Sequence, residues 1–184
     1  MDIKMKKIKE FLQDNKKTTI LAFVGSAILL AYYLIFYFGG AFISIILYQT
    51  SVIGFAIYFT MALLKMHKEN VNIKVANYVL IITLIIQTVF DMIMAIARLD
   101  YGIGNTDEFI GIIVNVISIM YFFNILLKKS HFINNKVYSI AVIVGFAFQM
   151  IQTSFFSSGK ILLSLCSLTV VPYFYNYYEL SKKK

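Results

Sequence analysis

At 184 residues, 60% of them hydrophobic, and a net charge of +8, the chain has a mean hydropathy of +0.78 and is too apolar for a soluble domain. Almost all of it is consumed by apolar runs of the ~20 residues needed to cross a bilayer, which leaves no soluble domain of useful size. Basic residues gathered at the ends of such runs fit lipid headgroups and orientation rather than nucleic acid, and the single cysteine, Cys166, excludes an internal disulfide framework.

The apolar runs predict six transmembrane helices over 18–40, 41–64, 75–97, 109–127, 137–157 and 161–180. The expected fold is an all-α integral membrane protein: a basic N-tail (1–17), one membrane domain (18–180) built as three helical hairpins, and a basic C-tail (181–184). Fifteen of the seventeen Lys and Arg residues fall in the two tails and the second and fourth connections, and only Arg98 and Lys160 lie elsewhere. By the positive-inside rule both termini face the cytoplasm, and the expected location is the cell membrane, multi-pass.

In chain order, the first run has a signal-like basic flank but is longer than a signal-peptide core, so it is read as a retained span. It contains Ala27 and Ala31, a small-xxx-small pair that suits close helix approach. Its lack of membrane-depth polar groups suits the outside of the bundle or a partner subunit. Gly39-Gly40 predicts a tight turn into the second span, which carries Gln49. Asn-x-Lys precedes each odd-numbered span, at Asn15, Asn72 and Asn134, with spacings of 57 and 62 residues. Ile-Gln-Thr-x-Phe recurs at Ile86 and Ile151; together the two patterns raise hairpin duplication, against chance in Asn- and Lys-rich connections.

Span three holds Asp91, the one carboxylate well inside a span. A buried acid costs several kcal/mol unless it faces a partner, the bundle interior or water. Gln87 is one turn before it and Arg98 two turns after, all on one helical face. Residues 98–108 predict an irregular loop, and span four then carries Asn115. Span five carries Gln149 and Gln152, and Ser157-Ser158-Gly159-Lys160 predicts the last turn. Span six carries Ser164 and Ser167, then Pro172, which denies a hydrogen bond to the Leu168 carbonyl and predicts a kink. With no tryptophan in the chain, Tyr173, Tyr175, Tyr177 and Tyr178 are expected to form the inner interfacial belt.

Counted from the outer ends, Gln49, Asp91, Asn115, Gln149, Gln152 and the two serines fall at one depth, whereas the inner halves of the spans are mostly aliphatic or Phe. One or two such groups are ordinary interhelical glue. A carboxylate plus several amides points to an outward-facing polar cavity, with Asp91, Gln87, Asn115, Gln149, Gln152, Gln49 and Arg98 as the candidate ligand-binding set. No metal-ligand spacing, activated nucleophile or nucleotide motif accompanies it, so neither an enzyme nor a cofactor is expected.

The expected function is a small-solute carrier or the membrane-embedded solute-binding subunit of one. An accessory, immunity or sensing protein docked on a larger membrane partner through the Ala27–Ala31 face is the first alternative, and a homo-oligomeric channel the second. The six-span layout with cytoplasmic termini, together with Ala27 and Ala31, is similar to the substrate-binding S components of energy-coupling-factor vitamin transporters. The two-glycine turn after span one departs from the longer substrate-covering loop usual there.

Overall fold

The computed structural model describes residues 2–37, 49–67, 70–100, 106–127, 134–152 and 158–181. Of these, 95% are helical and none lies in a strand. In chain order the helices are α1 (Asp2–Gln13), α2 (Asn15–Tyr37), α3 (Thr50–His67), α4 (Ile73–Asp100), α5 (Thr106–Leu127), α6 (Asn135–Gln152), α7 (Ser158–Leu168) and α8 (Val170–Ser181). Four are long and apolar enough to cross a membrane, over Asn15–Ile35, Thr50–His67, Ile73–Leu99 and Phe109–Leu127. The Gly39-Gly40 turn and the Thr153–Phe155 part of the second Ile-Gln-Thr match lie outside the described residues.

Helix starts follow from local capping chemistry. The side-chain oxygen of Asn72 accepts from Lys74 N at 3.1 Å, and that of Asn134 from Val137 N at 2.9 Å. Both satisfy donors that a first turn leaves bare. Before α2 the cap is Asp14, which accepts from Lys17 N at 3.1 Å, and Asn15 is the first helical residue. The recurrent Asn-x-Lys pattern is therefore accounted for by capping at two of its three positions. The Lys17 backbone and side-chain bonds hold the Asp14 carboxyl below its usual range, so its contribution to the cap is lost as pH falls through that lowered value.

Several boundaries differ from those expected. The N-tail is helical from Asp2, α4 continues through Arg98 to Asp100, and Ser158, Gly159 and Lys160 belong to α7 rather than to a turn. Helix α4 adds a further helical turn at its C-terminal end because Arg98, Leu99 and Asp100 carry no breaker. The segment expected as the last span is two helices: Pro172 sits in the first turn of α8, where a missing N–H is tolerated. The break itself falls at Thr169, whose backbone N and hydroxyl both donate to the Cys166 carbonyl, at 3.2 Å and 2.6 Å.

Helices α2 to α6 each pack against their chain neighbours, and α7 and α8 close back onto α2, so the bundle is a ring. At the end that carries Lys65, Lys74 and Lys136, called the basic end below, the centre of the ring is filled by aromatic side chains. Phe122 of α5 meets Tyr58 of α3 at 5.4 Å between ring centroids, Phe174 of α8 at 5.6 Å and Tyr138 of α6 at 6.0 Å. Phe59 meets Tyr173 at 5.2 Å, edge to face, and Tyr121 stacks on Tyr138 at 4.4 Å. Lipid tails are as apolar as these rings, so the plug is held by packing and dispersion rather than by escape from water.

Two expectations are corrected here. Tyr173 is buried in this plug, and only Tyr175 and Tyr177 of its cluster face outward among the described side chains. The outward residues alternate with buried Phe174 and Asn176 because α8 packs on both α2 and α6. Span one is not short of buried polar groups either, since Thr18, Thr19 and Ser26 are all buried. Each hydroxyl bonds a carbonyl of its own helix or its cap: Thr18 to Asp14, Thr19 to Asn15 and Ser26 to Ala22. Such bonds make these residues compatible with an apolar interface. Ala27 is half-buried and Ala31 exposed, whereas the face that α2 turns to the bundle is Ala22, Gly25, Ser26 and Leu29.

Candidate functional site

Asp91 lies nine residues before the end of α4, roughly 13 Å along the axis at 1.5 Å per residue, and is half-buried. Its two carboxylate oxygens accept from different helices. Gln87 Nε2 donates to Oδ1 at 2.9 Å, the expected contact between residues one turn apart. Asn115 Nδ2, from α5, donates to Oδ2 at 3.2 Å. The Asp91 carboxyl is thus held between two amides from neighbouring helices.

Gly111 completes the setting. It is one turn before Asn115 on α5, and a Cβ placed there would stand 3.7 Å from Asp91 Oδ2. That is an ordinary van der Waals distance, so an alanine would fit and the glycine leaves a methyl-sized space beside the carboxyl. Gln87 is 6% exposed, and its Oε1 has no hydrogen-bond partner among the described residues. A buried acceptor left bare costs ~1–3 kcal/mol. That bare oxygen beside the carboxyl suits a molecule that brings an N–H or O–H donor.

Of the seven predicted ligand-binding residues, the structure brings together Asp91, Gln87 and Asn115. Arg98 is half-buried on the same helix, seven positions on and so on the Asp91 face. Gln49 sits in a bend just before α3 rather than a turn or two inside a helix, and its carbonyl accepts from Val52 N at 3.1 Å. The expected helix over 41–64 is described only from Thr50 to His67. Gln149 and Gln152 are in the last turns of α6, and their side chains lie outside the described residues. Ser164 is buried and Ser167 half-buried on α7.

A second polar layer went unread in the sequence because it is built largely from tyrosines. At the basic end Tyr121 donates to Asn135 Oδ1, and Ser118 donates to the Tyr138 hydroxyl at 3.0 Å. The Tyr58 and Tyr173 hydroxyls are 3.4 Å apart, and Asn176 Nδ2 donates to Thr18 Oγ1 at 3.2 Å. The available signal was Tyr and Asn recurring in the inner halves of four runs. These groups mostly satisfy one another, which is the role of structural glue. Among the described residues no three His, Cys, Asp or Glu side chains group as metal ligands.

No protein-family model matches this chain, and neither a curated protein nor a solved structure was found to be similar to it.

Proposed function

We propose that the protein is a small-solute membrane carrier, or the membrane-embedded solute-binding subunit of one, with Asp91 at its binding site. The observation that carries this reading is the carboxylate held between Gln87 and Asn115, with the bare Gln87 Oε1 beside it and Gly111 leaving room. The solute is a small polar molecule, neutral or cationic, that presents donors to these acceptors. Six spans place both termini in the cytoplasm, and the site opens outward. The aromatic plug fills the ring centre at the basic end, and that favours access from the opposite side. The same plug leaves little room for an ion path through the interior of a single copy. No nucleotide-binding motif is present in the sequence, so ATP-driven transport requires other subunits.

Native mass spectrometry of the gently solubilised protein beside Asp91→Asn tests this. Wild type is expected to retain a small molecule that the mutant loses, since Asn keeps the shape but removes the charge and half of the acceptor capacity. A ligand-free wild type, unchanged by the substitution and accompanied by a stoichiometric second protein, overturns the carrier in favour of the interaction subunit.

The topology has its own check. Single cysteines at Gly104 and Gly159, in a Cys166→Ser background, are expected to react with an impermeant maleimide added to intact cells. Cysteines at Lys68 and Asn134 are expected to react only after permeabilisation. Labelling of position 134 from outside would remove the six-span arrangement.

A further inference from the structure

We infer that α1 is an interfacial helix that lies on the anionic cytoplasmic leaflet. At 100° per residue, Met5, Ile8, Phe11 and Leu12 share an arc of roughly 120°, broken only by Lys4 in the first turn, while Lys6, Glu10 and Gln13 fall on the opposite side together with Ile3. Lys7 and Lys9 stand at the two margins of the apolar arc, where long basic side chains reach back to headgroups. Met5 and Ile8 are each 59% exposed and Phe11 38%, so none of the described residues covers this face. Lys6, Lys7 and Lys9 are exposed as well.

The helix is nevertheless held in place. Asp14 N donates to the Phe11 carbonyl at 3.1 Å, and Asp14 then caps α2 and pairs with Lys17 at 3.0 Å. This junction interrupts the helix directly before the apolar window that starts at Asn15, so α1 is fixed at the membrane edge and cannot extend the span. It packs against α2 and α8, on the basic end of the bundle. An apolar arc with cationic margins at that level matches one surface by charge and by polarity: a bilayer containing anionic lipid.

The chain contains no tryptophan, so Ile8→Trp places a single reporter on the apolar arc of the full-length protein and Lys6→Trp one on the opposite side. Both are read in nanodiscs of phosphatidylcholine alone or mixed with phosphatidylglycerol, with brominated acyl chains or acrylamide as quencher. With phosphatidylglycerol present, Ile8→Trp is expected to be quenched at least twofold more strongly by bromolipid than Lys6→Trp and to be shielded from acrylamide. Changing Lys6, Lys7 and Lys9 to Gln in the Ile8→Trp protein is expected to abolish the dependence on phosphatidylglycerol. Equal acrylamide access at both positions overturns the inference. So does an Ile8→Trp signal shielded from both quenchers, which means that a second copy or another protein covers the face, and so does bromolipid quenching that is the same with and without anionic lipid.

Discussion

Phe122→Ala is expected to lower stability by ~3–5 kcal/mol, the range for emptying a buried Phe site. Phe122 is fully buried, and its ring meets Phe55 at 6.1 Å, Tyr58 at 5.4 Å, Tyr121 at 5.1 Å, Tyr138 at 6.0 Å and Phe174 at 5.6 Å. Those neighbours come from α3, α5, α6 and α8, so the void closes only if four helices shift together. Edge-to-face pairs add ~0.5–1.5 kcal/mol each beyond burial, which places the loss toward the upper end. Phe123→Ala, one position on and 49% exposed, serves as control and is expected to be near neutral. Cys166, the one cysteine and a buried one, supplies the readout: a fluorogenic maleimide reports unfolding in detergent as the thiol becomes accessible. Equal midpoints for the two variants would show that the plug does not hold the ring together.

Gly25→Leu is the second large effect. A Cβ at Gly25 would lie 1.9 Å from Thr169 Oγ1 and 2.8 Å from the Cys166 carbonyl oxygen. The hydroxyl can rotate away, but the carbonyl belongs to the backbone of the α7–α8 break and moves only with it. Even Gly25→Ala, which gains ~1 kcal/mol of helix propensity, is expected to be destabilising overall because overpacking costs ~1–3 kcal/mol. Leu is expected to be worse than Ala and to separate α2 from the break. Gly111→Ala is the matched control, since its nearest neighbour, Asp91 Oδ2, is at an ordinary 3.7 Å. It gains the same propensity without the clash, so the expected order of thermal midpoints is Gly111→Ala at or above wild type, then Gly25→Ala, then Gly25→Leu. Thr169→Ala in the Gly25→Ala background is expected to recover part of the loss, because it removes the Oγ1 overlap but leaves those with the Cβ of residue 169 and the Cys166 carbonyl. A Gly25→Ala midpoint above wild type would refute the close approach.

The same contrast explains how much of the candidate site was legible beforehand. Gln87 and Asp91 belong to one helix, and a spacing of four puts them in contact whatever surrounds them. Asn115 was named because it is polar at a similar depth, but its bond to Asp91 depends on α4 and α5 being neighbours with matched register. Gly111 was not named at all, since a glycine reveals its use only when the atom opposite it is known. Tyr173 was assigned to an interfacial belt by its place near a span end, yet it turns inward because the break at Thr169 reorients α8 between α2 and α6.

Features set within a single helix were therefore determined by the sequence alone. These are the apolar runs, the caps Asn72 and Asn134, the Gln87–Asp91 pair and the interruption near Pro172, each governed by chemistry over three or four residues. Features set between helices were decided by the tertiary structure: the ring order, the aromatic plug, the meeting of Asn115 and Gly111 with Asp91, and the contact of Gly25 with the α7–α8 break. The physical reason is that helical periodicity says which residues share a face, whereas packing of side chains from distant parts of the chain chooses what each face meets.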